Sequence, residues 1–212
     1  MYVVINELEK DVLREIINIG LARAADSFAN FSNEMVLLDV PEVKIIETKV
    51  FPEIVGEYSS LYTVIRSGIR GDLTGKTFML YSDDHINRIA LYCLDCDEED
   101  ENYDQQVEEL LKKISFVITK ALCSQLEGIL KLSLITEDPE TIGKKEQKTV
   151  QHITQDMPGG QPFMITIKTH FKKLFKILEL PMLVVFDSRS ISRLLQVIRR
   201  NDLYDFKLLT KR

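Results

Sequence analysis

The sequence predicts an α/β (α+β) fold: a single pseudo-two-fold domain in which two long helices pack on a β-sheet. Three observations carry this expectation. The order helix, three strands, short helix occurs twice, over about 5–95 and again over about 104–200, which reads as an internal duplication. The strand-like runs are rich in β-branched and aromatic residues and lack the βαβαβ alternation of a doubly wound nucleotide fold. With 212 residues, 45% hydrophobic and 28% charged, the chain has the size and composition to bury one large core.

The elements follow in order. A helix starts near Asn6, where Glu9 three residues on completes a near-match to a capping box, and runs to about Phe31. Strands are expected over 34–40, 56–71 and 73–82, then a short helix over 82–95. The acidic stretch DCDEEDENYDQQ reads as a solvated linker flowing into a second long helix, Asp104 to Leu130. A strand over 131–138, a polar loop over 139–151 and a turn at PGGQP (158–162) come next. Strands over 163–171 and 177–187, a helix over 188–200 and a charged tail (201–212) complete the 1–212 unit.

Bulk charge narrows the function classes. A formal charge of -6 argues against nonspecific binding to nucleic acid or to an anionic membrane. No apolar run approaches the roughly 20 residues of a membrane span, and the N-terminus lacks the pattern of a secretory signal, so the expected location is cytoplasmic. Three cysteines (Cys93, Cys96, Cys123) do not make a disulfide framework. CLDC has metal-ligand spacing, but no second Cys or His pair completes four ligands, so no metal site is expected.

One stretch of the first helix, DVLREIINIG, carries an Asn in mid-helix, where its short amide competes for backbone hydrogen bonds. At 100° per residue, Leu13, Ile16, Ile17, Gly20 and Ala24 share one arc and are expected to be buried. The opposite arc holds Asp11, Arg14, Glu15, Asn18 and Ala22, with Glu15 and Asn18 as i,i+3 neighbours beside the small Ala22. A Glu and an Asn three apart are common on plain solvated helices. A second Asp-x3-Glu-x2-Asn, at Asp95, Glu99 and Asn102, has no apolar face behind it and reads as chance.

In its context the first match is more specific. Asp11, Glu15, Asn18 and, after twenty-two residues, Pro41 fit the signature of the CheC/CheX/FliY family of chemotaxis phosphatases, which this chain resembles over roughly residues 5 to 200. EIINIG is similar to the family's core, GDLTGKTFMLYSDDHINRIALYCL to its strand-turn-strand-helix passage, and MLVVFDSRSISRLLQVI to its closing strand and helix. Length and duplication point to the CheC branch. The resemblance implies a phosphatase acting on the aspartyl phosphate of a CheY-type response regulator, with Glu15 and Asn18 as the catalytic pair. Asp11, Arg14 and Ala22 would be docking residues, and Pro41, which fixes φ and stops its strand, structural. It implies no cofactor of the chain's own, because Mg2+ and a Lys belong to the receiver. Counting back from Pro139 as Asn18 lies before Pro41 lands on Phe116, with Lys113 and Glu109 at the other two positions. The second copy is therefore read as a degenerate site.

The residue types suit that chemistry. Phosphoryl transfer is mostly placement and charge stabilisation. A carboxamide can accept a hydrogen bond from an attacking water while donating one to a phosphoryl oxygen, and its neutrality avoids repelling the phosphate. By the resemblance Glu15 would pair with the receiver's Lys and aim Asn18. The alternative is a non-catalytic binding module that sequesters phosphorylated CheY or binds the deamidase CheD. Which receiver is used, the oligomeric state and the role of the tail are not legible in the sequence.

Overall fold

In this computed structural model, residues 5–32, 36–45, 62–94, 99–143, 153, 160–171, 176–201 and 203 are described, with side chains for 5–19, 62–94, 99–142, 153, 179–201 and 203. Their order is α1 (Glu7–Ser32), β1 (Val36–Ile45), β2 (Tyr62–Gly71), β3 (Gly75–Ser82), α2 (Asp83–Cys93), α3 (Tyr103–Leu130), β4 (Leu134–Thr136), β5 (Glu140–Gly143), β6 (Gly160–Phe171), β7 (Lys176–Asp187) and α4 (Ser188–Arg200).

The strands form one seven-stranded antiparallel sheet in the order β1-β6-β7-β3-β2-β4, with β5 also paired to β2. Its centre is the β3·β7 pair, where Phe78 stands opposite Leu183. From there the halves mirror each other: the hairpin β2-β3 answers β6-β7. Each half's first strand crosses over, so that β1 lies on β6 and β4 and β5 lie on β2. The helix starts repeat the same relation. Ser82 caps α2 by accepting from His85 N (3.2 Å), and Asp187 caps α4 by accepting from Ser190 N (2.7 Å). Ser82 N donates in return to His85 Nδ1 (3.2 Å), and burial holds that imidazole's pKa below its ordinary value, which keeps Nδ1 an acceptor.

Strand residues alternate between two buried faces. Ile65, Ile69, Met79, Tyr81, Met182, Val184 and Phe186 meet the helices, while Val64, Phe78, Leu80, Leu183 and Val185 pack together on the other side with Ile153. Burial on both faces explains why β3 and β7 read as continuous apolar runs. A polar seam fixes α3 to the sheet: Thr77 Oγ1 lies 2.8 Å from Thr119 Oγ1, and Tyr81 Oη 2.9 Å from Ser115 Oγ. Burial pushes the Tyr81 phenol up, so it stays a neutral hydrogen-bonding group.

Three local expectations need correction. The stretch 139–151, expected as loop, contains β5, because Thr141 and Glu140 pair with β2 and the Thr141 hydroxyl donates to Glu108 (2.8 Å). Residues 144–152 lie outside the described set. The expected turn at 158–162 is already strand from Gly160, since β6 pairs along the whole of β7. Pro41 does not stop its strand: β1 continues to Ile45 with a register shift between Asp39 and Glu42. A bulge on an edge strand accommodates the missing N–H. Pro139 occupies the matching break between β4 and β5.

Gly71 closes β2 with φ +113, and a Cβ there would lie 2.3 Å from the Ser133 carbonyl oxygen. Backbone, not a movable side chain, fills that space, and Asp72 N donates to the same oxygen (2.8 Å). Gly71→Ala is therefore expected to cost about 2 kcal/mol or more, seen as a lowered urea midpoint with an unchanged m-value.

Candidate functional site

The site helix is built from its N-terminus. Asn6 Oδ1 accepts from Glu9 N and Glu9 Oε2 accepts from Asn6 N, both at 2.9 Å, which completes the capping box. Glu9 does more than cap. It is fully buried, and its Oε1 accepts from Arg199 Nε at 2.6 Å, tying the start of α1 to the last turn of α4. In the second half the position corresponding to Glu9, counted from Pro139 as Glu9 is from Pro41, holds Val107, so this ionic clamp belongs only to the half with the Glu/Asn pair.

Beyond the cap, Val12, Leu13, Ile16 and Ile17 are buried. Leu13 and Ile17 face Leu122 and Leu126 of α3, Val184 and Phe186 of β7 and Leu194 of α4 across a small apolar cavity. That anchorage turns the opposite side outward. Asn18 is exposed, Glu15 half-buried one turn before it, and Arg14 exposed. Arg14 Nη1 donates to Asp11 Oδ1 at 2.7 Å, so two of the expected docking residues pair with each other along the helix. Both are about half exposed, so the pair is worth a few tenths of a kcal/mol. Gly20, Ala22 and Ala24 lie within α1, but their side chains are outside the described set.

On α3 the corresponding positions differ in chemistry. Glu109 is exposed and accepts from Gln105 Nε2 (3.1 Å), Lys113 is exposed, and Phe116 is half-buried with Lys120 Nζ 5.6 Å from its ring centroid. The position matching Asn18 thus holds an aromatic ring in place of a carboxamide. Cys93 is half-buried at the end of α2, Cys123 is buried with its thiol pushed up to about 11 by desolvation, and Cys96 falls outside the described residues. Among the described residues no helix is long and apolar enough to cross a membrane.

The buried role of Glu9 was missed in the sequence, although a signal was present. Glu9 lies four residues before Leu13 and seven before Ile16, on the apolar stripe, and a carboxylate there requires a partner.

No family model matches the chain. The CheY-P phosphatase CheC of Bacillus subtilis (strain 168) is 27% identical over 142 residues, 64% of this chain and 66% of that protein, so the match spans just under two thirds of the curated relative. Among solved structures, FliY of Thermotoga maritima superposes with a TM-score of 0.73 at 15% identity, over 93% of this chain and 99% of that one. A chain of the CheX-CheY-BeF3-Mg2+ complex of Borrelia burgdorferi gives 0.54 at 12% identity, over 82% and 98%. The helices α1 to α4 on one face of an open antiparallel sheet, the interlocked halves and the match to CheC together give this chain the fold of the CheC/CheX/FliY family.

Proposed function

We propose that this chain accelerates hydrolysis of the aspartyl phosphate on a CheY-type response regulator through one Glu/Asn site on α1. The observation that carries the reading is the exposed Asn18 with Glu15 one turn away, on a helix anchored along its other face. The relative it matches is named a CheY-P phosphatase, and a chain with this fold comes from a CheX-CheY-BeF3-Mg2+ complex.

The chemistry asked of the chain is small. The receiver brings the phosphoryl group, its Mg2+ and a Lys, the metal supplying charge neutralisation at the phosphoryl oxygens. Asn18 accepts a hydrogen bond from water, aligns it for in-line attack on phosphorus and donates its amide N–H to a phosphoryl oxygen. The bond from phosphorus to the Asp oxygen breaks as the bond to water forms, leaving inorganic phosphate and a free carboxylate. Glu15 pairs with the receiver's Lys and sets the reach of Asn18.

The test is to mix the protein with a phosphorylated CheY-type receiver and follow phosphate loss beside Glu15→Ala. The wild type accelerates loss, and Glu15→Ala weakens both binding and rate. Equal acceleration by the two proteins overturns the assignment of Glu15. Binding of the phosphorylated receiver without acceleration favours the second reading, a sequestering module. That reading draws on the lack of a Glu/Asn pair on α3, and on it CheD is a further candidate partner.

A further inference from the structure

We propose that two copies of this chain associate side by side with their α3 helices antiparallel, each seating its acidic end in the other's basic groove. Near the C-terminal end of α3, a groove of about 880 Å3 opens against α4 and is lined by Lys131, Arg189, Arg193 and Arg200 with Ser188 and Ser192. Among the described residues no carboxylate lines it. Arg193 is engaged at its edge by Asp72 (2.7 Å). Arg189, Lys131 and Arg200 are exposed and have no ion pair among the described residues. Four cations gathered in one concavity of a chain with net charge -6 form a sharply localised positive field.

The complementary surface is on the same molecule. Glu99, Asp100, Glu101 and Asp104 are exposed at the opposite end of α3. At 1.5 Å per residue the 28 residues of α3 separate the two ends by about 42 Å, too far for one copy to satisfy itself. Antiparallel apposition of two copies matches acid to base at both ends at once and closes about a two-fold axis. Parallel apposition brings like charges together. The dipole of α3 accounts for acids at its start and for Lys131 at its C-cap, and that of α4 for Arg200 in its last turn, but not for Arg189, which sits in the first turn of α4 where a cation is unfavourable.

The test measures mass in solution by sedimentation of the full chain, whose monomer is 24.5 kDa. A species of twice that mass is expected at about 0.01 M salt and dissociation at about 1 M, where the screening length falls from about 30 to about 3 Å. Two charge-reversed chains then decide the pairing: Arg189→Glu with Arg193→Glu, and Glu99→Lys with Glu101→Lys. All four positions are exposed. Each chain alone is expected to stay monomeric, and their equimolar mixture to form the doubled mass, because both ends then match again. Circular dichroism and melting of each chain check that it folds.

Monomer under every condition, dimer retained by the reversed chains alone, or a mixture that stays monomeric each overturns the proposal. Assemblies that grow with concentration indicate open head-to-tail association and overturn the closed pair. Binding of a mixed-sequence oligonucleotide or anionic phosphatidylserine vesicles by a chain that remains at 24.5 kDa assigns the groove to another polyanion and also overturns it.

Discussion

Asn18→Ala is expected to reduce acceleration of receiver dephosphorylation by at least about 10²-fold while leaving receiver binding nearly intact, because a transition-state donor and the alignment of water are lost together. The side chain is exposed, so its truncation leaves no cavity and no orphaned buried group. Alanine is also the better helix former, so α1 is not weakened. Stability and binding thus serve as internal controls, and the rate at saturating protein is the discriminating readout. An unchanged rate removes Asn18 from the chemistry. Asn18→Asp sharpens the test: a carboxylate of similar size repels the phosphoryl oxygens and cannot donate, so it is expected to fare no better than alanine.

Arg199→Met is expected to destabilise the fold by about 2–4 kcal/mol, the range for leaving a buried carboxylate without its charged partner. Glu9 is fully buried, whereas Arg199 is 55% exposed, so the cost lies mainly in the carboxylate left behind. That asymmetry makes a second prediction. Combining Arg199→Met with Glu9→Gln removes the buried charge while keeping an amide able to cap Asn6, and much of the loss should return. Urea unfolding of the wild type, the two single variants and the double variant measures the coupling. Additive effects would show that the 2.6 Å contact between Arg199 and Glu9 contributes no specific energy.

The helices were legible almost to the residue because their signals are local. Asn6 with Glu9, Ser82 with His85 and Asp187 with Ser190 mark helix starts within four residues of sequence. Leu13, Ile16 and Ile17 fell on the expected buried arc, but Val12 is buried too, because the α1 stripe is wider than that arc. What sequence could not show depends on distant partners. β5 is four residues in a polar stretch and owes its strand form to β2. The Pro41 bulge is visible only against β6, and the second bond of Glu9 reaches Arg199 at the far end of the chain. Of the candidate site, the outward side of Glu15 and Asn18 followed from helical periodicity. The Arg14 to Asp11 pairing, which occupies two of the three docking candidates, did not.

The crossed strands bear on what the chain can give up. An excised half carries a first strand whose ladder partner is on the missing piece, and a hairpin whose outer edge lies bare. Fragments parted between residues 95 and 103 should thus recover structure together and aggregate singly. The later half, with Lys113 and Phe116 where the first has Glu15 and Asn18, is thus required by the sheet whatever chemistry its own helix carries.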